Sequence, residues 1–167
     1  MRQVIVLPEL CSDDPMTVSV LFVCHGNICR SPLAEFVFKD MVEKEGLSGK
    51  IYVESAGTSG YHIGDPVDRR SAEVMRRHGI SCAGKKSRQL EFKDFDEFDY
   101  IIAMDNENME NIRYLRPNPG CTVRLLMDYA GGGIVDDPYF TLDFDKAYDD
   151  ISKGCRGLLE TIKKDLS

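Results

Sequence analysis

The chain has 167 residues, of which 43% are hydrophobic and 29% charged. Domains run about 100–200 residues, so this length and mix fit one soluble globular domain and exclude a fibre or a wholly disordered chain. Twenty-one Lys and Arg against 28 Asp and Glu leave a net charge of −7, which disfavours binding to a nucleic-acid backbone.

The N-terminus, MRQVIVLPELCSDDPMT, imitates a secretory leader, but its apolar run from Val4 to Leu7 stops at Pro8. A leader needs about 7–15 apolar residues. Residues 1–15 therefore read as an extension ahead of the domain: an edge strand, a disordered arm, or an upstream start with Met16 as the alternative. The domain proper is 16–167. No apolar run reaches the roughly 18 residues of a membrane span. The cysteines at 11, 24, 29, 82, 121 and 155 contain no C-x-x-C, and the histidines at 25, 62 and 78 keep no zinc-ligand spacing. No metal site is expected, and the thiols read as reduced, in a cytoplasmic protein.

Val18 to Val23 is β-branched and almost wholly apolar, as a strand buried on both faces is. A polar loop, 24–30, follows. Ser31-Pro32 opens a helix, with Ser31 as N-cap and Pro32 at the first helical position. Leu33, Phe36, Val37 and Met41 then recur at helical spacing up to Gly46. Ile51 to Val53 reads as a second strand, Ser55 to Gly64 as a glycine-rich loop, and 67–78 as a helix ending at Gly79. Tyr100 to Met104 is a third strand. Asp105 caps a helix that stops before Pro117, and Thr122 to Leu126 is a fourth strand. After a flexible loop at Gly131 to Gly133, the last helix begins near Phe144, with Ile151, Cys155, Leu158 and Ile162 on one face. Strands alternating with helices predict one α/β domain: a four-stranded parallel twisted sheet with helices on both faces. Ligands bind such sheets beyond the C-terminal strand ends, where the loop 24–30 lies.

That loop, Cys24-His25-Gly26-Asn27-Ile28-Cys29-Arg30, contains C-x5-R. The pattern alone is weak, and Cys82 to Arg88 matches it too. Only the first match has a buried strand before it and a helix start after it. A strand–loop–helix junction turns backbone amides inward as an anion nest, aided by the positive end of the helix dipole. Gly26 permits close backbone approach, and Arg30 offers a planar fork to two phosphate oxygens. The same field stabilises Cys24 as a thiolate, placed for in-line attack on phosphorus. Ser31 is placed to donate to it.

VLFVCHGNICRSPLAE closely resembles the signature of the low-molecular-weight protein tyrosine phosphatases. The resemblance runs from Val18 to the last helix and includes SAGTS at 55–59, FDYIIAMD at 98–105 and DDPY at 136–139. It implies that Asp137, before Pro138-Tyr139, is the general acid and base, whereas the residues alone leave Asp136 open. It also implies that Asn27 and Ser55 fix the loop shape, with His78 joining that network. Tyr61 and Tyr139 would wall the cleft, with His62 beside Tyr61, and Cys29 would be a redox partner that captures oxidised Cys24. A phosphotyrosine protein is the implied partner, a tyrosine kinase among the candidates, acted on by a monomer without cofactor.

Three departures stand out. His25 follows the nucleophile where relatives often carry Leu or Thr. Phe140 stands where many carry a second Tyr, and Thr141-Leu142-Asp143 lacks the usual Gly. Protein-arginine phosphatases share the scaffold and by resemblance carry Thr at the position of Ile28, so Ile28 favours phosphotyrosine. Arsenate reductases of this fold need further cysteines after the third strand, where Asp105 to Glu110 has none. A non-catalytic phosphopeptide-binding module would need neither Cys24 nor Asp137. Acidic residues also crowd 128–150, seven against one Lys, which predicts substrates with basic flanks.

Overall fold

The computed structural model describes residues 17–166, and the expectations for residues 1–15 lie outside them. Four strands, β1 (Val18–Cys24), β2 (Ile51–Gly57), β3 (Tyr100–Ala103) and β4 (Thr122–Leu125), form one sheet in the order β2-β1-β3-β4. Every neighbouring pair is parallel. The helices are α1 (Arg30–Lys44), α2 (Arg69–Arg77), α3 (Asp94–Glu97), α4 (Asn106–Leu115), α5 (Pro138–Thr141) and α6 (Phe144–Leu166), with a 3-10 turn at Leu126–Ala130.

Strand alternation sorts β1 between two cores. Val20, Phe22 and Cys24 face α1 and α6, packing with Leu33, Phe38, Leu158 and Ile162. Leu21 and Val23 face the other way, toward Phe95, Phe98, Met109 and Ile112 of α3, its C-cap and α4. Phe22 and Phe38 meet edge to face at 5.5 Å. Both faces of the sheet are therefore covered, as the uninterrupted apolar run of β1 predicts.

Local boundaries differ from the sequence expectation in three places. β2 runs on through Ser55, Ala56 and Gly57, which pair with Phe22, Val23 and Cys24, so the glycine-rich loop starts later. Ser31 is not the N-cap of α1: the helix begins at Arg30, Cys29 holds the cap position, and no side chain caps it. The Ser31 hydroxyl is engaged elsewhere, as shown below. The short helices α3 and α5 span about one turn, too little for a helical period to register. Asp105 caps α4 as predicted, in a reciprocal box with Asn108.

Candidate active site

Cys24 ends β1 at the centre of the sheet, with β2 on one side and β3 on the other. The connections part there, which opens the crevice that parallel sheets use for ligands. A cavity of about 230 Å³ occupies it. Cys24, His25, Gly26, Ile28, Cys29 and Arg30 line it from the loop, and His62, Asp137, Tyr139 and Phe140 complete the wall.

The loop is shaped from outside. The Cys24 and His25 carbonyls accept from the Thr58 and Ser59 amides, each at 2.9 Å. The Gly26 carbonyl accepts from Ser87 Oγ at 2.9 Å, and the Ile28 carbonyl from the Asp68 amide at 2.8 Å. β2 comes this close because Gly57 lacks a side chain: a Cβ there would lie 2.7 Å from the His25 carbonyl oxygen and 3.0 Å from the Asn27 amide nitrogen.

Asn27 adopts a left-handed φ of 58°. Its side chain offsets the cost by local hydrogen bonding. Nδ2 donates to Ser31 Oγ at 2.8 Å and to Ser55 Oγ at 3.0 Å, while Oδ1 accepts from the Arg88 amide at 3.0 Å. Ser55 Oγ donates onward to Glu35 Oε1 at 2.6 Å. Glu35 is 3% exposed, and a carboxylate that deep needs partners. Lys39 meets Oε2 at 2.6 Å and Lys85 meets Oε1 at 3.2 Å. Lys85 also donates to the Ser55 carbonyl at 2.9 Å. At the other end, Ser31 Oγ lies 3.0 Å from Cys24 Sγ and 3.3 Å from the Ala56 carbonyl oxygen. Because Oγ already accepts from Asn27, its proton is directed to the sulfur or to that carbonyl.

Arg30 is buried, and its Nη1 donates to Asp105 Oδ2 at 2.7 Å and to the Val135 carbonyl at 2.8 Å. Burial opposes its charge, but Cys24, Asp105 and Asp137 outweigh that and raise its pKa. Asp137 sits at the N-cap of α5: Oδ1 accepts from the Tyr139 amide at 3.1 Å, and Oδ2 lies 3.5 Å from Arg30 Nη2. Burial, then the negative neighbours Asp68, Cys24 and Asp137, push the Cys29 thiol up to about 12. Cys29 is therefore a neutral thiol beside Cys24 at physiological pH. The five described cysteines are all free, and among the described residues no cluster of three or more His, Cys, Asp or Glu side chains is arranged to hold a metal.

A sequence profile of the low molecular weight phosphotyrosine protein phosphatases matches residues 19–167. The chain belongs to this family. It is 45% identical over 152 residues to the low molecular weight protein-tyrosine-phosphatase YfkJ of Bacillus subtilis, covering 89% of this chain and 97% of that one. The crystal structure of YfkJ superposes with a TM-score of 0.87 at 44% identity, over 90% of this chain and 98% of that one. The human low molecular weight phosphotyrosine protein phosphatase is 41% identical over 152 residues, which is 86% of this chain and 95% of that protein. A Drosophila arginine phosphatase superposes with a TM-score of 0.80 at 37% identity, over 86% of this chain and 97% of that one.

Within this phosphatase fold, Cys24, Arg30 and Asp137 converge on one cavity, with His62 and Tyr139 on its wall. Asn27, Ser31 and Ser55 form the bonded layer behind it. One expected placement is corrected. His78 does not join that layer: its Nδ1 lies 2.9 Å from the Val74 carbonyl oxygen and its ring stacks on Tyr148 at 3.9 Å, at the far end of α2. Lys85 takes the place by Ser55. Tyr61 lies beside the lining of the cavity of about 230 Å³ rather than in it. It is 86% exposed and touches His62, which does line the cavity, edge-on at 4.9 Å.

Three contributors were missed: Glu35, Lys85 and Asp105. Glu35 carried a signal, since Ser31, Glu35 and Lys39 are four apart and share one face of α1. The second C-x5-R match is structural. Arg88 grips Asp94 through two bonds of 3.0 and 3.1 Å and reaches Glu54 at 3.2 Å, while its amide holds Asn27.

Proposed function

We propose that the chain is a metal-independent protein-tyrosine phosphatase acting through a cysteinyl-phosphate. The observation that carries this is the convergence of Cys24, Arg30 and Asp137 on one cavity, with Ser31 Oγ 3.0 Å from the sulfur. The loop carbonyls are committed outward, so the amides are left to cradle phosphate at the uncapped start of α1. Arg30, anchored by Asp105, supplies a fixed positive charge that strengthens as the transferring phosphoryl group becomes more polar. Cys24 attacks phosphorus in line, the S–P bond forms, and the P–O bond to the phenol breaks. Asp137 gives its proton to the departing phenolate, then takes one from the water that cleaves the S–P bond. Ser31 steadies the thiolate when it leaves. Tyr139, Phe140 and His62 enclose the aromatic ring. Cytoplasmic, thiol-reducing surroundings suit a mechanism that needs Cys24 reduced.

Arginine phosphatase is the second reading, favoured by the similarity to the Drosophila enzyme. Against it, Ile28 brings an apolar side chain to the cavity wall. Turnover of p-nitrophenyl phosphate, phosphotyrosine and phosphoarginine, each with and without EDTA, tests both. Aryl phosphate turnover that ignores EDTA and vanishes in Cys24→Ser is expected. Faster phosphoarginine cleavage would overturn the substrate, and a fully active Cys24→Ser would overturn the mechanism.

A further inference from the structure

Two histidines, His25 and His62, line the same cavity as Tyr139. His62 is locked in orientation. Its Nδ1 lies 3.0 Å from Asp65 Oδ2, and Tyr61 meets its ring edge-on. The opposite edge packs on the loop so closely that a Cβ at Gly26 would lie 2.9 Å from Cδ2. With Nδ1 turned to Asp65, the remaining nitrogen, Nε2, is next to that loop-facing Cδ2. Asp65 fixes a ring, as a carboxylate does for a ligating or catalytic histidine, yet the phosphatase chemistry above assigns this ring no step. His25 is exposed at the same opening, and its imidazole makes no hydrogen bond or ion pair among the described residues.

The permanent charges at this opening are largely committed. Arg30 is held by Asp105, and Arg70 grips Asp68 at 3.1 and 2.9 Å. Lys146 pairs with Asp136 at 3.6 Å and Asp150 at 2.8 Å. Asp65 is paired with His62, and Asp137, 3.5 Å from Arg30, shares that cation with Asp105, while the Tyr139 phenol and the Cys24 and Cys29 sulfurs add no cation. With both imidazoles neutral, the opening is negative. With both protonated, two cations are added and most of that negative excess is cancelled.

We propose that His25 and His62 are specificity-determining residues that read the charge beside the phosphorylated ring, favouring a basic neighbour when neutral and losing that preference when protonated. The inference rests on the phosphatase reading and extends it to a substrate class. The basic-flank preference expected from the acidic 128–150 segment then belongs to the higher-pH state.

The test compares kcat/KM for two phosphotyrosine peptides, one flanked by Asp and one by Lys, at about pH 5.5 and about pH 8. The ratio of the two cancels rate effects common to both peptides, and the histidine variants isolate the part due to the imidazoles. A charge moved to within roughly 6 Å in partly screened surroundings changes binding about threefold to tenfold. The ratio should therefore shift toward the acidic peptide by about that factor as pH falls, and should weaken at about 500 mM salt. In the double variant His25→Gln, His62→Gln the shift should fall below about twofold, the single variants lying between. A wild-type ratio that ignores pH and salt, or a shift that survives the double variant, would overturn the proposal. Parallel p-nitrophenyl phosphate turnover separates the two claims: a wild-type enzyme inert toward it fails as a phosphatase, whereas an active one with a flat ratio fails only as a charge reader.

Discussion

Asp137 holds two tasks in one side chain. One oxygen caps α5 through the Tyr139 amide, and the other points to Arg30. The tasks separate by substitution. Asp137→Ala removes both, and should lower kcat for aryl phosphates by about 10²–10⁴ while costing about 1 kcal/mol of stability as a lost N-cap. Asp137→Asn keeps an oxygen for the cap and removes the proton, so it should show the same kinetic loss with most of the stability retained. Asp136, 53% exposed and paired with Lys146, should tolerate Ala with kcat unchanged. Steady-state rates and thermal melts of the three variants check this. A fall confined to Asp136→Ala would move the acid by one residue. Cys24 and Arg30 were legible as cavity residues because strand, loop and helix around them are contiguous in sequence, whereas Asp137 was separated from Asp136 only by the family resemblance. Lys85 was not legible, since nothing in a basic segment distinguishes the one amine that folding places 3.2 Å from a buried carboxylate. The same limit produced the misplacement of His78.

Among elements, the junction of β1 and α1 depends on the end of β2. Gly57 is where two backbones come within contact distance of a Cβ that is not there. Gly57→Ala should push the loop away from the Thr58 and Ser59 amides, lowering both melting temperature and kcat. Gly49→Ala, with nothing within 4 Å of its Cβ, should change neither. Equal behaviour of the two variants would show that the loop keeps its shape without β2. α5 shows a related compromise at its other end. Leu142 closes it at a left-handed φ of 65°, where a side chain is strained and glycine is not. The absence of glycine after the DPY motif was visible in sequence, but its conformational consequence needed the backbone. Strand positions were legible because β1 and β3 are apolar on both faces. β2 was read too short, because Ser55, Ala56 and Gly57 look like loop residues until their pairing with β1 is known.

Across the whole molecule, folding encloses thiols that an unfolded chain would expose. Cys29 is pushed up to about 12 by burial and by Asp68, Cys24 and Asp137, and burial also raises Cys155 in the main core. Their ordinary value is 9.0. Above it, the unfolded chain binds fewer protons than the folded one, so stability falls as pH rises. The contribution is intact below about pH 9 and erodes toward pH 12 at about 1 kcal/mol per pH unit for each thiol. Urea unfolding at about pH 8, 9 and 10 should show this decline, and Cys155→Ala should reduce its slope; a profile flat to pH 10 would contradict it.

The loop around Cys24 owns few of the bonds that give it its form, since its carbonyls and Asn27 are met by residues 58, 59, 68, 87 and 88. It is thus no portable cassette. Grafted alone onto another strand–helix junction, the C-x5-R signature would carry the reactive atoms without the mould. The smallest transplantable unit includes the end of β2 and the stretch that holds Ser87 and Arg88, two pieces of chain that contribute no atom to the chemistry.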